Sequence, residues 1–260
     1  MKELLELAVA VAREAGALQR DRLQGPRAIE TKSTSIDLVT DVDRACETLI
    51  LDRIRSSRPE DSVLSEESGV HARAGEFCWV IDPVDGTTNY AHGFPHFGVS
   101  IGIERAREAI AGVVYDPMKD ELFSTLRGSG AWLNGMPIQV SGIMQLERAL
   151  LGTGFAYDVH QARIDNIDYF TRFIKRAQGV RRAGSAALDL AYVACGRFDG
   201  FWELNLHPWD VAAGFLLVEE AGGRVSNLQG GPPKPVACVA SNGHLHAAML
   251  EVLDAPRPAR

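Results

Sequence analysis

No apolar run in this chain approaches the roughly 20 residues that a bilayer span requires. The N-terminal Met1-Lys2-Glu3-Leu4 turns acidic within three residues, unlike a secretory leader. Positive charge is also short: 27 Lys and Arg stand against 34 Asp and Glu, a formal net charge of −7. That balance argues against non-specific binding to nucleic acid or an anionic membrane. An anionic substrate must therefore be drawn in by bound cations and local dipoles. The four cysteines, Cys46, Cys78, Cys195 and Cys238, lie far apart. No pair suggests zinc, and they read as the reduced, mostly buried thiols of a cytosolic protein. His92 and His96 are four apart, but Pro95 prevents the helix that would align them, and neither they nor His244 and His246 read as metal ligands. Internal repeats and low-complexity segments are lacking, and only the proline-rich tail from Ala255 reads as disordered.

What is present is enough for a large core in one domain or two closely joined ones, at 260 residues and 46% hydrophobic content. Residues 3–23 space Leu4, Leu7, Ala8, Val11, Ala15 and Leu18 at helical intervals, ended by Gly25-Pro26. This reads as a packing helix without chemistry. The polar segment 30–40 reads as an exposed loop leading to a second helix. Thr40 with Asp43 three residues on fits a capping pattern at its start. Segments 98–104, 109–115, 122–126 and 131–133 are strand-like and separated by turn signals such as Asn134-Gly135, which is meander behaviour. From residue 150 onward strands alternate with helices, which argues for an α/β layer. A polar stretch over 141–148 marks a seam. It divides a helix pair plus antiparallel sheet (1–145) from an α/β layer (146–260).

The most informative stretch is Trp79-Val80-Ile81-Asp82-Pro83-Val84-Asp85-Gly86-Thr87-Thr88-Asn89-Tyr90. Residues 77–81 read as a buried strand, whose tip presents Asp82, the Val84 carbonyl and Asp85. Gly86 permits a sharp turn, and the backbone N–H groups of Gly86 and Thr87 open a helix. Clustered oxygen ligands suit a hard cation such as magnesium, and free N–H groups at a helix start suit a phosphate. Asp-Pro and Asp-Gly are also ordinary turn signals. A haloacid dehalogenase-type phosphatase would carry Asp-x-Asp near its N-terminus. Here the spacing is one residue longer and the motif lies a third of the way along.

The intact string Asp-Pro-Val-Asp-Gly-Thr-Thr-Asn resembles the signature of the inositol monophosphatase family of magnesium-dependent, lithium-sensitive phosphatases. Trp209-Asp210-Val211-Ala212-Ala213-Gly214 resembles its second signature. The run 181–191, Arg-Arg-Ala-Gly-Ser-Ala-Ala-Leu-Asp-Leu-Ala, points to the bacterial branch. The resemblance implies an αβαβα sandwich of mixed α/β class. It implies two or three Mg²⁺ held by Glu66, Asp82, Asp85, Asp210 and the Val84 carbonyl. Asp43 would hold Thr87, and Thr87 with Glu66 would orient a water polarised by the metal for in-line attack. It places the substrate against Asp85, Gly86, Thr87, Gly184, Ser185, Ala186, Glu203 and Asp210, with Lys32 and Glu67 as further candidates. Without that context Lys32 is a solvated lysine, Asp43 and Asp210 are helix-start carboxylates, and Glu66-Glu67 is a solvated turn. On a strand end, Glu66 and Glu67 would point to opposite faces.

For the substrate, Glu203 near Gly184-Ser185-Ala186 favours a small polyol phosphate, with inositol 1-phosphate leading. Fructose 1,6-bisphosphate, histidinol phosphate and adenosine bisphosphate are the alternatives within the family. The resemblance also implies a cytoplasmic homodimer that binds neither membrane nor nucleic acid directly. A relative's association with the transcription machinery raises a second reading, a protein-binding role for which Arg181-Arg182 could serve.

Overall fold

The N-terminal helix α1 (Lys2–Arg22) turns Leu4, Ala8, Val11, Ala12 and Ala15 inward, as its apolar period requires. The structure, a computed structural model, describes all residues except 26, 27, 33, 35, 158, 161–164 and 255–260. The tail from Ala255, read as disordered, lies outside the described residues. So do Pro26 and two positions of the 30–40 segment. That segment is more than a loop: β1 (Ile29–Thr31) and β2 (Leu38–Thr40) pair antiparallel, Ile29 opposite Thr40. Helix α2 (Asp41–Ser57) then starts on a reciprocal cap. Thr40 Oγ1 accepts from the Val42 and Asp43 N–H groups, and Asp43 Oδ2 accepts from the Thr40 N–H at 2.9 Å.

Next come β3 (Ser62–Ser65), β4 (Gly69–His71), β5 (Phe77–Asp85), the short α3 (Thr87–Ala91), β6 (Gly98–Arg105), β7 (Glu108–Asp116), β8 (Glu121–Leu126), β9 (Ala131–Leu133) and β10 (Met136–Ile138). They form one eight-stranded sheet in the order β10-β9-β8-β7-β6-β5-β3-β4. Neighbours run antiparallel except β3 and β5. The second half supplies β11 (Leu150–Thr153), α4 (Ile167–Ile174), β12 (Gly179–Arg181), α5 (Ala186–Ala194), β13 (Gly200–Leu204), α6 (Pro208–Glu220), β14 (Arg224–Asn227), β15 (Ala237–Ser241) and α7 (His246–Asp254). Its five-stranded sheet, β12-β11-β13-β15-β14, is mixed, with β11 parallel to both neighbours and β15 antiparallel to both of its own. Three further strands escape the sequence pattern, besides β1 and β2. β4 and β14 are short and polar, and β10 carries Pro137, tolerated because β10 is an edge.

The layers are α1 and α2, the large sheet, α5 and α6, the small sheet, then α4 and α7. The mixed α/β sandwich expected from the resemblance is present. Each interface between layers has its own core. α1 and α2 cover Trp79, Ile81, Ile101 and Ile103. α5 and α6 lie between Val114 and Phe123 on one side and Phe201 and Ala240 on the other. Trp202 and Phe173 meet on the outer face. The two sheets exchange no strand, and on that topology we propose 1–145 and 146–260 as closely joined units.

One contact matters for the site. Gly102 and Gly112 face each other across β6 and β7. A Cβ on Gly102 would lie 2.7 Å from Ala212 Cβ, and one on Gly112 would lie 3.0 Å from Ala213 Cα. Bare backbone on two strands thus lets α6 settle onto the sheet beside β5, carrying Asp210 with it. Among the described residues no helix is long and apolar enough to cross a membrane.

Candidate active site

The Asp82–Asp85 stretch lies inside β5, where the sequence suggested a strand ending at Ile81. Asp82 pairs with Ser100 and Asp85 with Gly98, and the register shifts between them. Pro83 sits in that irregularity, where a ladder N–H is not required. The Asp82 Oδ1 accepts from the Val84 N–H at 2.9 Å, closing the bulge on itself. Gln19 holds it from behind, its Nε2 donating to the Pro83 carbonyl at 2.7 Å. Helix α1 therefore does contribute to the site, contrary to its reading as packing alone. The available signal was a glutamine four residues after Ala15, within an otherwise apolar stripe; Gln19 is fully buried.

Gly86 follows with φ 97°, a left-handed conformation that favours glycine. A Cβ there would lie 3.1 Å from the Gly184 carbonyl oxygen, so two loops from the two halves meet at bare backbone. The Thr87 hydroxyl lies 2.8 Å from Asp43 Oδ1 and 3.0 Å from the Val84 carbonyl. Asp43 is fully buried behind it. From the second half, Ser185 Oγ and the Ala187 N–H (2.8 Å) both donate to Asp85 Oδ2. Asp210 Oδ2 accepts from the His207 N–H at 2.6 Å in the first turn of α6.

These groups enclose one cavity of about 550 Å³. Glu66, Asp82, Val84, Asp85 and Asp210 line it, as do Gly86, Thr87, Gly184, Ser185, Ala186, Glu203 and Lys32. Asp43 and Glu67 do not. Residues 66–68 form a turn and not a strand end, so alternation does not separate the two glutamates. Lys32 Nζ instead bridges both, donating to Glu66 Oε1 at 2.8 Å and to Glu67 Oε1. Arg182, Asp189 and Tyr157 also face the cavity; the sequence suggests Arg182 only for a protein contact and marks no role for Asp189 or Tyr157.

The acids are held under tension. Burial, then the carboxylates of Glu66, Asp85 and Asp210, push the Asp82 carboxyl well above the usual range. Burial and Asp85 do the same to Asp210. Burial lifts Asp85 to about 6 against the pull of the Ser185 hydroxyl and the Ala187 N–H. Glu67 rises to about 7 through burial, with Lys32 opposing. Burial tends to lower the Lys32 ammonium, but the two glutamates outweigh it and raise it.

A divalent cation would relieve that repulsion, and an all-oxygen donor set of carboxylates and one carbonyl suits a hard ion such as Mg²⁺. As they lie, the acids do not form a closed cage: among the described residues no three potential ligands gather closely enough to hold an ion. Asp82, Asp85 and Asp210 each face an N–H or hydroxyl donor, and Glu66 faces Lys32.

Comparison with known proteins defines the class. A model of the inositol monophosphatase family matches residues 1–255. The Nus factor SuhB of Escherichia coli (strain K12) is 44% identical over 254 residues, covering 96% of this chain and 95% of that protein. The inositol-1-monophosphatase of Synechocystis sp. is 43% identical, covering 96% of this chain and 88% of that protein. The solved inositol monophosphatase of Anabaena (Nostoc) sp. PCC 7120 superposes with a TM-score of 0.90 at 43% identity, over 98% of this chain and 97% of that one. The chain belongs to the inositol monophosphatase family.

Proposed function

We propose that this protein is a magnesium-dependent phosphomonoesterase acting on small polyol phosphates, with inositol 1-phosphate the leading substrate. The observation that carries the reading is the convergence of Glu66, Asp82, Asp85 and Asp210, drawn from both halves, on one cavity whose far wall is Gly184-Ser185 and Glu203. Glu66, Asp82, Asp85, Asp210 and the Val84 carbonyl are the residues that would hold two or three Mg²⁺. When bound, magnesium supplies positive charge for the phosphate and leaving oxygen and lowers the pKa of water. Thr87 turns its hydroxyl proton inward, to Asp43 and the Val84 carbonyl. Its oxygen therefore meets the cavity as an acceptor and can fix an attacking water by one O–H. Glu66, on the same wall, can take the second proton. Gly184 and Ser185 close the phosphate end opposite β5.

Release of inorganic phosphate across a panel of polyol, sugar and nucleotide phosphates, with and without a chelator, tests the reading. Turnover that persists in metal-free buffer would sink it.

Glu203 serves choice of substrate and not bond breaking. It is 7% exposed at the end of β13, and burial lifts its carboxyl to about 8, with Arg182 opposing. Assayed above pH 8, where that carboxyl is ionised, Glu203→Gln is expected to raise KM for inositol 1-phosphate about ten- to a hundred-fold, the worth of one charge-assisted hydrogen bond of roughly 1.5–3 kcal/mol. Phenyl phosphate, which offers no hydroxyl there, should lose far less. Equal losses on both would place Glu203 in the catalytic or structural set.

Lithium is expected to inhibit at millimolar concentration, because a small hard ion suits the same oxygen donors and neutralises phosphate poorly. Unchanged activity at about 50 mM LiCl, with KCl as ionic-strength control, would set this chain apart from the lithium-sensitive pattern.

A second reading, contact with the transcription machinery, draws its support from the name of the Escherichia coli relative, a Nus factor. Arg181 and Arg182 are both exposed, Arg181 on the edge strand β12 and Arg182 just past it, where it also lines the cavity. Homodimer formation belongs to the same proposal, and sedimentation of the purified chain decides it.

A further inference from the structure

The polyol end of the cavity holds a second buried acid. Asp189 lies on α5, one turn beyond Ser185, and is 1% exposed. Its Oδ1 has no hydrogen-bond partner, yet the residue lines the cavity. A structural carboxylate so deeply covered is normally satisfied by N–H or hydroxyl donors, because an unpaired buried acceptor destabilises the fold. A buried acid that lines a cavity and leaves one oxygen without a protein donor points instead to a ligand that completes it.

Two glycines border this acid. Gly152 of β11 and Gly154, just past the end of that strand, are two residues apart and fall on the same side of the chain. A Cβ on Gly152 would lie 3.4 Å from Asp189 Cγ and 2.9 Å from Phe198 Cδ2. A Cβ on Gly154 would lie 2.1 Å from Glu203 Oε1. A larger residue at Gly154 would push the Glu203 carboxyl out of place, and one at Gly152 would displace the Phe198 ring beside Asp189. The backbone is thus bared at two successive positions, and two acids from different elements, α5 and β13, lie over it side by side. The Glu203 carboxylate acts electrostatically on Asp189, and both acids are attracted by the Arg182 guanidinium, which also lines the cavity. Among the described residues no side-chain hydrogen bond or ion pair holds Arg182, and its Nη1 stands 2.6 Å from where a Gly184 Cβ would be.

We propose that Asp189 is a specificity-determining residue, which with Glu203 forms a two-carboxyl receptor for a vicinal diol on the alcohol part of the substrate. Two acceptors set side by side match two adjacent hydroxyl donors, a pairing that a simple alkyl or aryl phosphate lacks. The site would reject such analogues by leaving two buried acids unpaired, which discriminates more strongly than an apolar pocket can. The inference rests on the phosphatase reading above and deepens it by naming the feature recognised.

The test is Asp189→Asn in the full chain, a near-isosteric change whose melting temperature reports folding. The ratio of kcat/KM for myo-inositol 1-phosphate to that for phenyl phosphate should fall at least about tenfold, one lost hydrogen bond to a charged group. The change should lie in KM. A second measurement avoids turnover of the polyol ester: free myo-inositol, as an inhibitor of phenyl phosphate hydrolysis, should weaken by a similar factor, while inhibition by inorganic phosphate keeps its constant. In the Asp189→Asn/Glu203→Gln double variant the losses should be less than multiplicative, since one diol bridges both acids. If the wild-type chain hydrolyses both esters and the variant leaves the ratio and the inositol inhibition unchanged, Asp189 is only a buried structural acid and the inference fails alone. If the wild-type chain hydrolyses neither, the phosphatase reading and the inference fall together.

Discussion

Asp82→Asn is expected to cut kcat by about three orders of magnitude, roughly 4 kcal/mol on the barrier, while the metal-free protein melts at a higher temperature. The two effects have one cause. Asp82 is 2% exposed and surrounded by the carboxylates of Glu66, Asp85 and Asp210, so its charge opposes folding until a cation neutralises the group. An amide in its place removes that charge and keeps an oxygen to accept from the Val84 N–H, now at 2.9 Å, so the bulge survives. Asp85→Asn should behave similarly on kcat. Its gain in stability should be smaller, because Ser185 and the Ala187 N–H already partly satisfy the carboxylate. Activity assays at saturating Mg²⁺, paired with melting curves in chelator, decide the matter. Near wild-type turnover in either variant would remove these aspartates from the metal set, and a lowered melting temperature would show that the charges stabilise the fold.

The metal-free protein is also expected to lose stability as pH rises from about 6.5 to 8.5, and Mg²⁺ should abolish that loss. The folded protein holds Asp85, Glu67 and Glu203 at about 6, 7 and 8, against roughly 4 for the unfolded chain. Such an acid binds a proton in the folded state that the unfolded chain has already released. Stability is therefore intact below the unfolded value and is lost as pH climbs through the folded one. Two buried histidines act in the opposite sense lower down. Burial holds His96 and His246 at about 4, so unfolding takes up protons below the ordinary value near 6.5. The carboxylates dominate above that point. One acid held protonated a pH unit too long is worth about 1.4 kcal/mol, which in a chain of this size moves the melting temperature by roughly 3–6 °C. Magnesium at a hundredfold excess over Kd should add about 2.7 kcal/mol. Because it binds the ionised acids, its effect grows with pH. Melting curves at pH 6.5, 7.5 and 8.5, in chelator and in MgCl2, measure both slopes. A metal-free melting temperature that rises across this window would contradict the assignment, and Glu203→Gln should flatten part of the fall.

Residues near in sequence carried most of what could be read before the fold was known. The Thr40 and Asp43 cap, the meander and the alternation after residue 150 depend on spacing and turn chemistry within a few positions. The Asp82–Thr87 string kept its ligand types in one local segment, so its chemistry could be read without a structure. The stretches misread are those where tertiary contact overrides local preference. Residues 30–40 looked like a loop, because only pairing across the hairpin makes Ile29–Thr31 and Leu38–Thr40 strands. Glu66 and Glu67 looked divergent, because nothing local shows that Lys32 reaches both.

By itself, then, the sequence determined which donor atoms exist and where the capped and strongly periodic elements lie, since hydrogen-bond capping and apolar period act over a few residues. Only the tertiary structure decided which donors share a cavity. Gly102 and Gly112 admit α6 close enough to bring Asp210 beside β5, 125 residues from Asp85 along the chain. Gly152 and Gly154 likewise open the space in which Asp189 joins Glu203. A glycine announces only freedom to bend; what fills the volume of its missing side chain depends on which distant element packs there, and that is settled by burying several faces at once.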